Sequence, residues 1–423
     1  MTDKPSFIDL FCGAGGFSLG FIKAGMESKG AIDIDVNSCN TYMNNILPND
    51  ITKTKCADIR KLPLINFVDT IGGKKIDVLV GGPPCQGFSH IGRSKIASLT
   101  DQVPKFVNDP RNTLYKRFIK IAKILKPPII VMENVRGIHT HKNGLTSLLI
   151  TESFKRIGYK CEGKLLNAAN YGVPQKRERI IFIGVLSDFA KKHSISPADL
   201  YPQKTHYMPP IIIDRTNKYK NFQTHLSPEN EVLLPPVTVS DAFSTLPHLK
   251  NGGGDEEMPY PSTCNGQFPK KCGNKYLHDW IYSSLDGHKS KKAVYNHHSR
   301  NHRPLDIEIF KYMKPGMIYR DLPTKYKIYG TKYFQDKFKK LIPTKPSWTV
   351  VAHLAKDGYM YIHPTDLRTI TVREAARLQS FPDWFKFHGS RSAQYHQVGN
   401  AIPPLMAYKI GQQILKIFRE NCE

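Results

Sequence analysis

FIDLFCGAGGFSLGF, residues 7–21, runs from a strand-like apolar segment into a glycine-rich turn. Glycines at such a turn let the backbone approach a ligand with no side chain in the way. Asp33 closes the next strand-like run, at the distance where an acidic residue takes a pair of ribose hydroxyls. The spelling is not GxGxxG, which weakens a nicotinamide reading. Standing alone, the turn serves equally well as a tight structural bend.

Working outward, β-like runs recur at AIDI (31–34), IDVLVGG (76–82), PIIVMENV (128–135) and RIIFIGV (179–185), each bounded by Gly, Pro or Asn. Segments such as NTLYKRFIKIAKILK (112–126) lie between them, with apolar positions three and four residues apart. This alternation predicts an α/β fold, a doubly wound and mostly parallel sheet with ligands at the carboxyl ends of its strands. After Val185 the texture changes. Residues 186–262 are rich in Pro, Asn and His, and NGGGDEEMPYP (251–261) reads as a turn or loop. An amphipathic helix is expected within 367–381, and a last helix over 400–418 with prolines at its start. The expected domains are 1–188 plus 391–423, a second and irregular domain at 189–372, and a connecting helix or hinge at 373–390.

Three more segments carry candidate chemistry. In VLVGGPPCQGFSHIG (78–92), Cys85 follows a buried strand and is flanked by prolines and glycines. A lone cysteine is usually a small buried hydrophobe, but this stiff loop points instead to a nucleophile. In VMENVRG (131–137), Glu133 ends an apolar strand. A half-buried carboxyl there has a raised pKa and can hand a proton to a ring nitrogen. In NYGVPQKRERIIFIG (170–184), Arg177 and Arg179 alternate at strand spacing and point to one face; by itself the segment reads as a charged edge strand.

The chain has 61 Lys and Arg against 36 Asp and Glu, a formal net charge of +25, and 40% hydrophobic residues. That composition is globular, and no apolar run reaches the roughly 20 residues of a spanning helix. A soluble, intracellular protein with reduced cysteines is expected. Between Pro261 and Lys340 there are 17 Lys and Arg against 6 Asp and Glu, interleaved with tyrosines, asparagines and five histidines. A basic surface can serve solubility alone, but an excess this concentrated fits a phosphate backbone better. Cys264 and Cys272, with His278 and His288 nearby, match no zinc spacing, so no metal is expected.

The segments DLFCGAGGFSLGF, GGPPCQGFS, MENVRG, YGVPQKRERIIFIG, TVREAARLQSFPDWF (371–385) and QVGNAIPP (397–404), in this order, resemble the DNA cytosine carbon-5 methyltransferase family of bacterial restriction-modification systems. The resemblance spans 1–185 and 367–423, a little over half the chain. It implies the S-adenosylmethionine-dependent methyltransferase fold, a target-recognition domain at 189–372, and methylation of a flipped-out cytosine in duplex DNA. Cys85 looks like the thiolate that adds to carbon 6, and Glu133 like the contact to ring nitrogen 3 and the exocyclic amine. Arg179 looks like the residue reaching oxygen 2, and Arg177 like its neighbour holding the active-site loop.

By the same resemblance, S-adenosylmethionine lies against Phe11, Gly13, Ala14, Gly15 and Gly16, with Asp33 on the ribose and Ile34 on the adenine. Asp58 and Ile59 read the adenine edge, while Pro84, Leu114, Asn400 and Ala401 complete the pocket. Ile34 replaces the aromatic residue of some members. Gln86–Asn108, with Ser89, Arg93, Lys95 and Lys105, resembles the mobile loop that closes over the base. Lys291, Lys292 and Arg300 are the candidate DNA contacts of the second domain. The implied setting is a monomer in the bacterial cytoplasm, acting beside a cognate restriction endonuclease. Two other readings stand: the tRNA-methylating branch, which has a compact recognition region, and a silent DNA-binding relative, which the intact Cys85, Glu133 and Arg179 argue against.

Overall fold

The computed structural model describes residues 4–63, 75–84, 114–140, 144–208, 233–261, 274–285, 293–328 and 338–420. Its centre is a seven-stranded sheet in the order β3-β2-β1-β4-β5-β8-β6. These strands are β1 (Ser6–Leu10), β2 (Glu27–Asp33), β3 (Thr54–Cys56), β4 (Val78–Gly81), β5 (Ile129–Val135), β6 (Tyr159–Asn167) and β8 (Glu178–Leu186). A two-residue β7 (Gln175–Lys176) precedes β8. β1 to β5 pair in parallel, whereas β8 runs antiparallel to both β5 and β6. Of these, β3 and β6 escape a reading of apolar runs. β3 is three residues long, and β6 (YKCEGKLLN) is a half-exposed edge strand with polar residues throughout.

β1, β4 and β5 are buried along almost their whole length, so their side chains feed two apolar layers. Ile8, Leu10, Leu79, Ile130 and Met132 pack with α3 (Leu114–Leu125) and α4 (Leu145–Lys155) on one face. Phe7, Val78, Val80, Ile129 and Val131 pack on the other, beneath α1 (Gly16–Ala24) and the C-terminal α8 (Pro404–Glu420). The approach of α1 to α8 needs Gly20, where a Cβ would stand 2.5 Å from Tyr408 N. α2 (Val36–Asn45) follows β2, with Asp35 capping it through Ser38 N.

The remaining chain is irregular, as its composition implies. Residues 251–261 depart from the expected loop: β9 (Gly254–Pro259), an exposed strand whose acidic side chains hide its character, pairs antiparallel with the buried β10 (Ala293–His298). α5 (Lys275–Tyr282) inserts Leu277, Trp280 and Ile281 into the main core beside α8, so segments on both sides of residue 189 share one apolar interior. Ile309, Phe310, Met313, Tyr319, Leu322, Tyr326, Phe338 and Ile362 form a smaller cluster of their own.

The expected amphipathic helix is α6 (Val372–Leu378), and every one of its residues is buried, Arg373, Glu374 and Arg377 included. The expected last helix is α8, which starts at its prolines, and a separate helix precedes it. α7 (Arg391–Asn400) ends at the asparagine, residues 401–403 cross over, and α8 starts with Pro404. Consecutive prolines suit a helix start but not its interior, which puts the break there. Among the described residues no helix is long and apolar enough to cross a membrane.

A Cβ at Gly81 would lie 2.1 Å from Leu10 O, inside the β1–β4 ladder. Gly81→Ala is therefore expected to force the strands apart at a cost of about 1–3 kcal/mol, read as a thermal midpoint lower by several degrees. An unchanged midpoint would mean that the ladder yields freely at this position.

Candidate active site

The turn after β1 has an unusual backbone. Phe11, Gly13 and Gly15 all have positive φ, at 61°, 53° and 95°. For a phenylalanine this is an outlier, of the sort that persists only where the surroundings enforce it. The enforcement is visible. Asp33, at the end of β2, accepts from Gly13 N at 2.8 Å and from Asp35 N at 2.9 Å. On the other side, a Cβ at Gly16 would stand 2.2 Å from Ile402 O. The segment following Asn400 and Ala401 thus crosses the first turn of α1 in backbone contact.

Around that turn the expected cofactor residues fall into a polar and an apolar group. Burial raises the Asp33 carboxyl above its ordinary value despite its backbone donors. Ile34 beside it is 62% exposed, a bare apolar side chain next to a half-buried carboxyl. Ile59 and Leu114 are buried in the layer that also contains Leu10 and Ile32, and Phe11 packs against it. Asp58 is held by Arg60, whose side chain and backbone N–H pull its pKa down to about 2. Ala14 is buried, and Pro84 is exposed just beyond β4. An acidic group for hydroxyls, an open apolar surface and a turn stripped of Cβ atoms fit a nucleoside-bearing ligand such as S-adenosylmethionine.

A second group gathers at the carboxyl ends of β4 and β5. Register sets Gly81 opposite Met132, so Gly82 faces Glu133, and a Cβ on Gly82 would be 3.0 Å from Glu133 Oε2. Arg179 Nε donates to Glu133 Oε1 at 2.7 Å, and Arg179 Nη1 to Glu178 O at 2.8 Å. Burial pushes the Glu133 pKa up, while Arg179 and then Arg177 draw it back; burial wins. Asn134 Nδ2 donates to Pro83 O at 3.1 Å and so anchors the strand end that leads to residue 85.

Arg177 is fully buried. Its Nη1 donates to Val350 O at 2.7 Å, and its Nη2 to Gly399 O at 3.0 Å and Ala401 O at 2.8 Å. Gln175 and Gln379 extend this network. Gln175 Nε2 donates to Leu378 O and Gln379 Oε1, its Oε1 accepts from Val350 N, and Gln379 Nε2 donates to Val398 O. Asn134, Gln175 and Gln379 were not candidates from sequence. Each is a neutral amide without periodic signature; the only cue was its place inside a motif quoted for other residues.

Cys85, Gln86, Ser89, Arg93, Lys95, Lys105, Lys291 and Lys292 lie outside the described residues, as do Cys264, Cys272 and His288. Arg300 departs from the expected phosphate contact. Its Nη2 turns inward to Leu354 O at 2.7 Å and Ala355 O at 3.0 Å, and the group lies 5.0 Å over the Tyr395 ring. His278, His297 and His302 are buried too, with pKa values lowered by burial, so they contribute structure rather than base contacts. Exposed basic residues remain at Lys311, Lys314, Arg320 and Lys325.

A family model described as C-5 cytosine-specific DNA methylase matches residues 5–416. The chain is 33% identical to the type II methyltransferase M1.HphI of Haemophilus parahaemolyticus over 97% of its own length and 87% of that protein. It is 32% identical to M.DdeI of Desulfomicrobium norvegicum over 97% and 88%. Among solved structures, a prophage-encoded E. coli protein described as a DNA modification methyltransferase superposes with a TM-score of 0.70 at 25% identity, covering 98% of this chain and all of that one. The DNMT2 of Spodoptera frugiperda, at 16% identity and a TM-score of 0.54, shares the fold.

Replacing Arg177 with methionine would take the guanidinium from three buried carbonyls, of which, among the described residues, Ala401 O alone keeps a second donor, Gln379 Nε2 at 3.2 Å. We expect a loss of about 2–5 kcal/mol, seen as a sharply lower thermal midpoint. A midpoint within a degree of the parent would show that water replaces the guanidinium at no cost.

Proposed function

The chain belongs to the C-5 cytosine-specific DNA methylase family, and we propose that it methylates carbon 5 of a cytosine flipped out of a specific duplex sequence. The observation that carries the reading is the convergence of Glu133, Arg179 and the Asn134-anchored strand end two residues before Cys85. S-adenosylmethionine, held by the Gly13–Gly16 turn, Asp33 and the Ala401 segment, supplies an electrophilic methyl group.

The protein's part follows from cytosine chemistry. Carbon 5 is a poor nucleophile until a nucleophile adds to carbon 6. Cys85 performs that addition as a thiolate. Glu133 binds ring nitrogen 3 and the exocyclic amine, where its raised proton affinity supports the electron-rich adduct. Arg179 offers its guanidinium to oxygen 2. After methylation, loss of the carbon-5 proton lets the Cys85–carbon 6 bond break and restores the ring.

Residues 189–372 are the proposed recognition domain, with the exposed lysines and arginines on phosphates. Residues 1–188 with 391–423 form the catalytic domain, and 373–390 the connection between them. The protein acts as a monomer, and the type II names of its relatives support a partner restriction endonuclease.

Cys85→Ser is expected to abolish methyl transfer while leaving cofactor affinity near that of the parent, since the cofactor contacts lie in other segments. Substantial turnover by this variant would remove Cys85 from the nucleophile role. With 5-fluorocytosine at the target, fluorine cannot leave as a proton does, so a protein–DNA adduct should survive denaturing electrophoresis. Offering labelled cofactor with plasmid DNA or with tRNA separates the nucleic-acid substrates.

DNA affinity should fall roughly a thousandfold between about 50 and 200 mM salt if about six to ten phosphates are contacted. Replacing Lys291 and Lys292 with alanine should flatten that slope and weaken binding, with the rate at saturating DNA little changed. A variant with unaltered affinity would put these lysines on a face away from DNA.

A further inference from the structure

The buried carboxyl group of Asp9 has no part in the mechanism above. It lies on β1, two residues before Phe11, and is almost wholly inaccessible. Ser18 Oγ, in the first turns of α1, donates to its Oδ2 at 2.7 Å, and Tyr42 OH donates on to Ser18 Oγ at 2.8 Å. Its Oδ1 is buried with no hydrogen-bond partner. An unsatisfied carboxylate oxygen inside a core costs stability and calls for an explanation. We propose that Asp9 is a positioning residue of the cofactor site, whose carboxylate, held by Ser18 and facing Asp33, selects a sulfonium cofactor over its neutral thioether product.

The inference rests on the reading that S-adenosylmethionine binds at the glycine turn. Methyl transfer removes one positive charge from the cofactor's sulfur and changes little else, so cofactor and product differ to the protein mainly in electrostatics. Discrimination therefore falls to fixed charge in a low-dielectric setting, where a carboxylate senses a cation strongly. Asp9 is such a charge, built into the strand that feeds the turn. The titratable groups facing it are Asp33 from β2, Tyr42 from α2 and Cys12 in the turn. Burial holds the Tyr42 hydroxyl and the Cys12 thiol neutral, so only Asp33 adds charge. Lys23, farther along α1, is turned to the carbonyls of Trp280 and Ser283.

Burial first, and Asp33 in support, raise the Asp9 pKa to about 7, against the pull of Ser18. A bound cation favours the ionised carboxyl, so preference for the cation grows as pH rises through that region. The measurement is calorimetric affinity of the full-length protein for S-adenosylmethionine and S-adenosylhomocysteine from about pH 6 to about pH 8. The α-amino group is common to both ligands and cancels in the ratio of their affinities. In the parent the ratio should climb with pH, up to about tenfold for each pKa unit that the cation moves Asp9.

Asp9→Asn should bind both ligands with a flat ratio near the parent's low-pH value. Ser18→Ala removes the hydrogen bond that lowers the Asp9 pKa, so its rise should move to higher pH. An Asp9→Asn ratio that climbs like the parent's, or a parent ratio that is flat, overturns the proposal while leaving cofactor binding intact. Should Asp9→Asn not fold, Ser18→Ala decides, and an unmoved rise refutes the role. A parent that binds neither ligand sinks the cofactor reading itself, and this inference with it.

Discussion

The fully buried guanidinium of Arg177 is the constraint from which the site follows. It joins β7 to β8, and its carbonyl partners lie 173, 222 and 224 residues away in sequence. An unpaired cation at such depth would be prohibitive. Among the described residues no carboxylate forms an ion pair with it, and Glu133 is paired with Arg179. Backbone carbonyls accept from its two terminal nitrogens instead, while its Nε is buried without a partner, which ties its orientation to two distant chain segments at once. One of them, Gly399–Ala401, runs into the strand of chain that touches Gly16. The other, Val350, brings the chain back from the irregular segment. The wall of the glycine turn and the return of the irregular segment therefore share one anchor.

Buried arginines recur in and beside α6, two of them paired with carboxylates and one held by carbonyls. Arg368 binds Glu374 at 2.7 Å, Arg377 binds Asp383, and Arg373 donates to the carbonyls of Tyr295, Pro382 and Phe385. Burial alone would raise the Glu374 and Asp383 pKa values, but their arginine partners hold both below the ordinary carboxylate range. Buried pairs of this kind add little net stability over apolar packing, but losing one partner is costly. Their value here is directional. Residues 367–390 have little regular structure apart from one short helix, and fixed hydrogen bonds define a path that apolar contacts would leave loose.

These networks mark where sequence reading stops. The glycine turn, Asp33, the central strands and Glu133 were legible because each rests on local rules: apolar runs between turn residues, glycines where a Cβ would collide, a carboxyl ending a buried strand. β6, β9 and α7 were not, since their polar sequences (YKCEGKLLN, GDEEMP, RSAQYHQVGN) follow pairing and contacts made elsewhere in the chain. Arg300 shows the same limit from the other side. Its charge suggested an outward contact, while Tyr395 and the carbonyls of Leu354 and Ala355, decided by tertiary packing, turn it inward.

Within the proposed reaction, the Glu133–Arg179 pair sets the order of events. With no base present, Arg179 Nε neutralises the carboxylate and Nη1 is fixed on Glu178 O, leaving Nη2 without an acceptor among the described residues. An incoming cytosine meets both groups together. Oxygen 2 engages the guanidinium and dilutes its hold on Glu133, while the ring excludes water from the carboxyl. Both changes act in the direction that burial already favours, toward the protonated acid. Proton affinity at Glu133 thus rises as the base seats, the moment at which attack on carbon 6 makes ring nitrogen 3 electron-rich. The ion pair keeps the carboxyl aligned until then, so that activation depends on a correctly placed base.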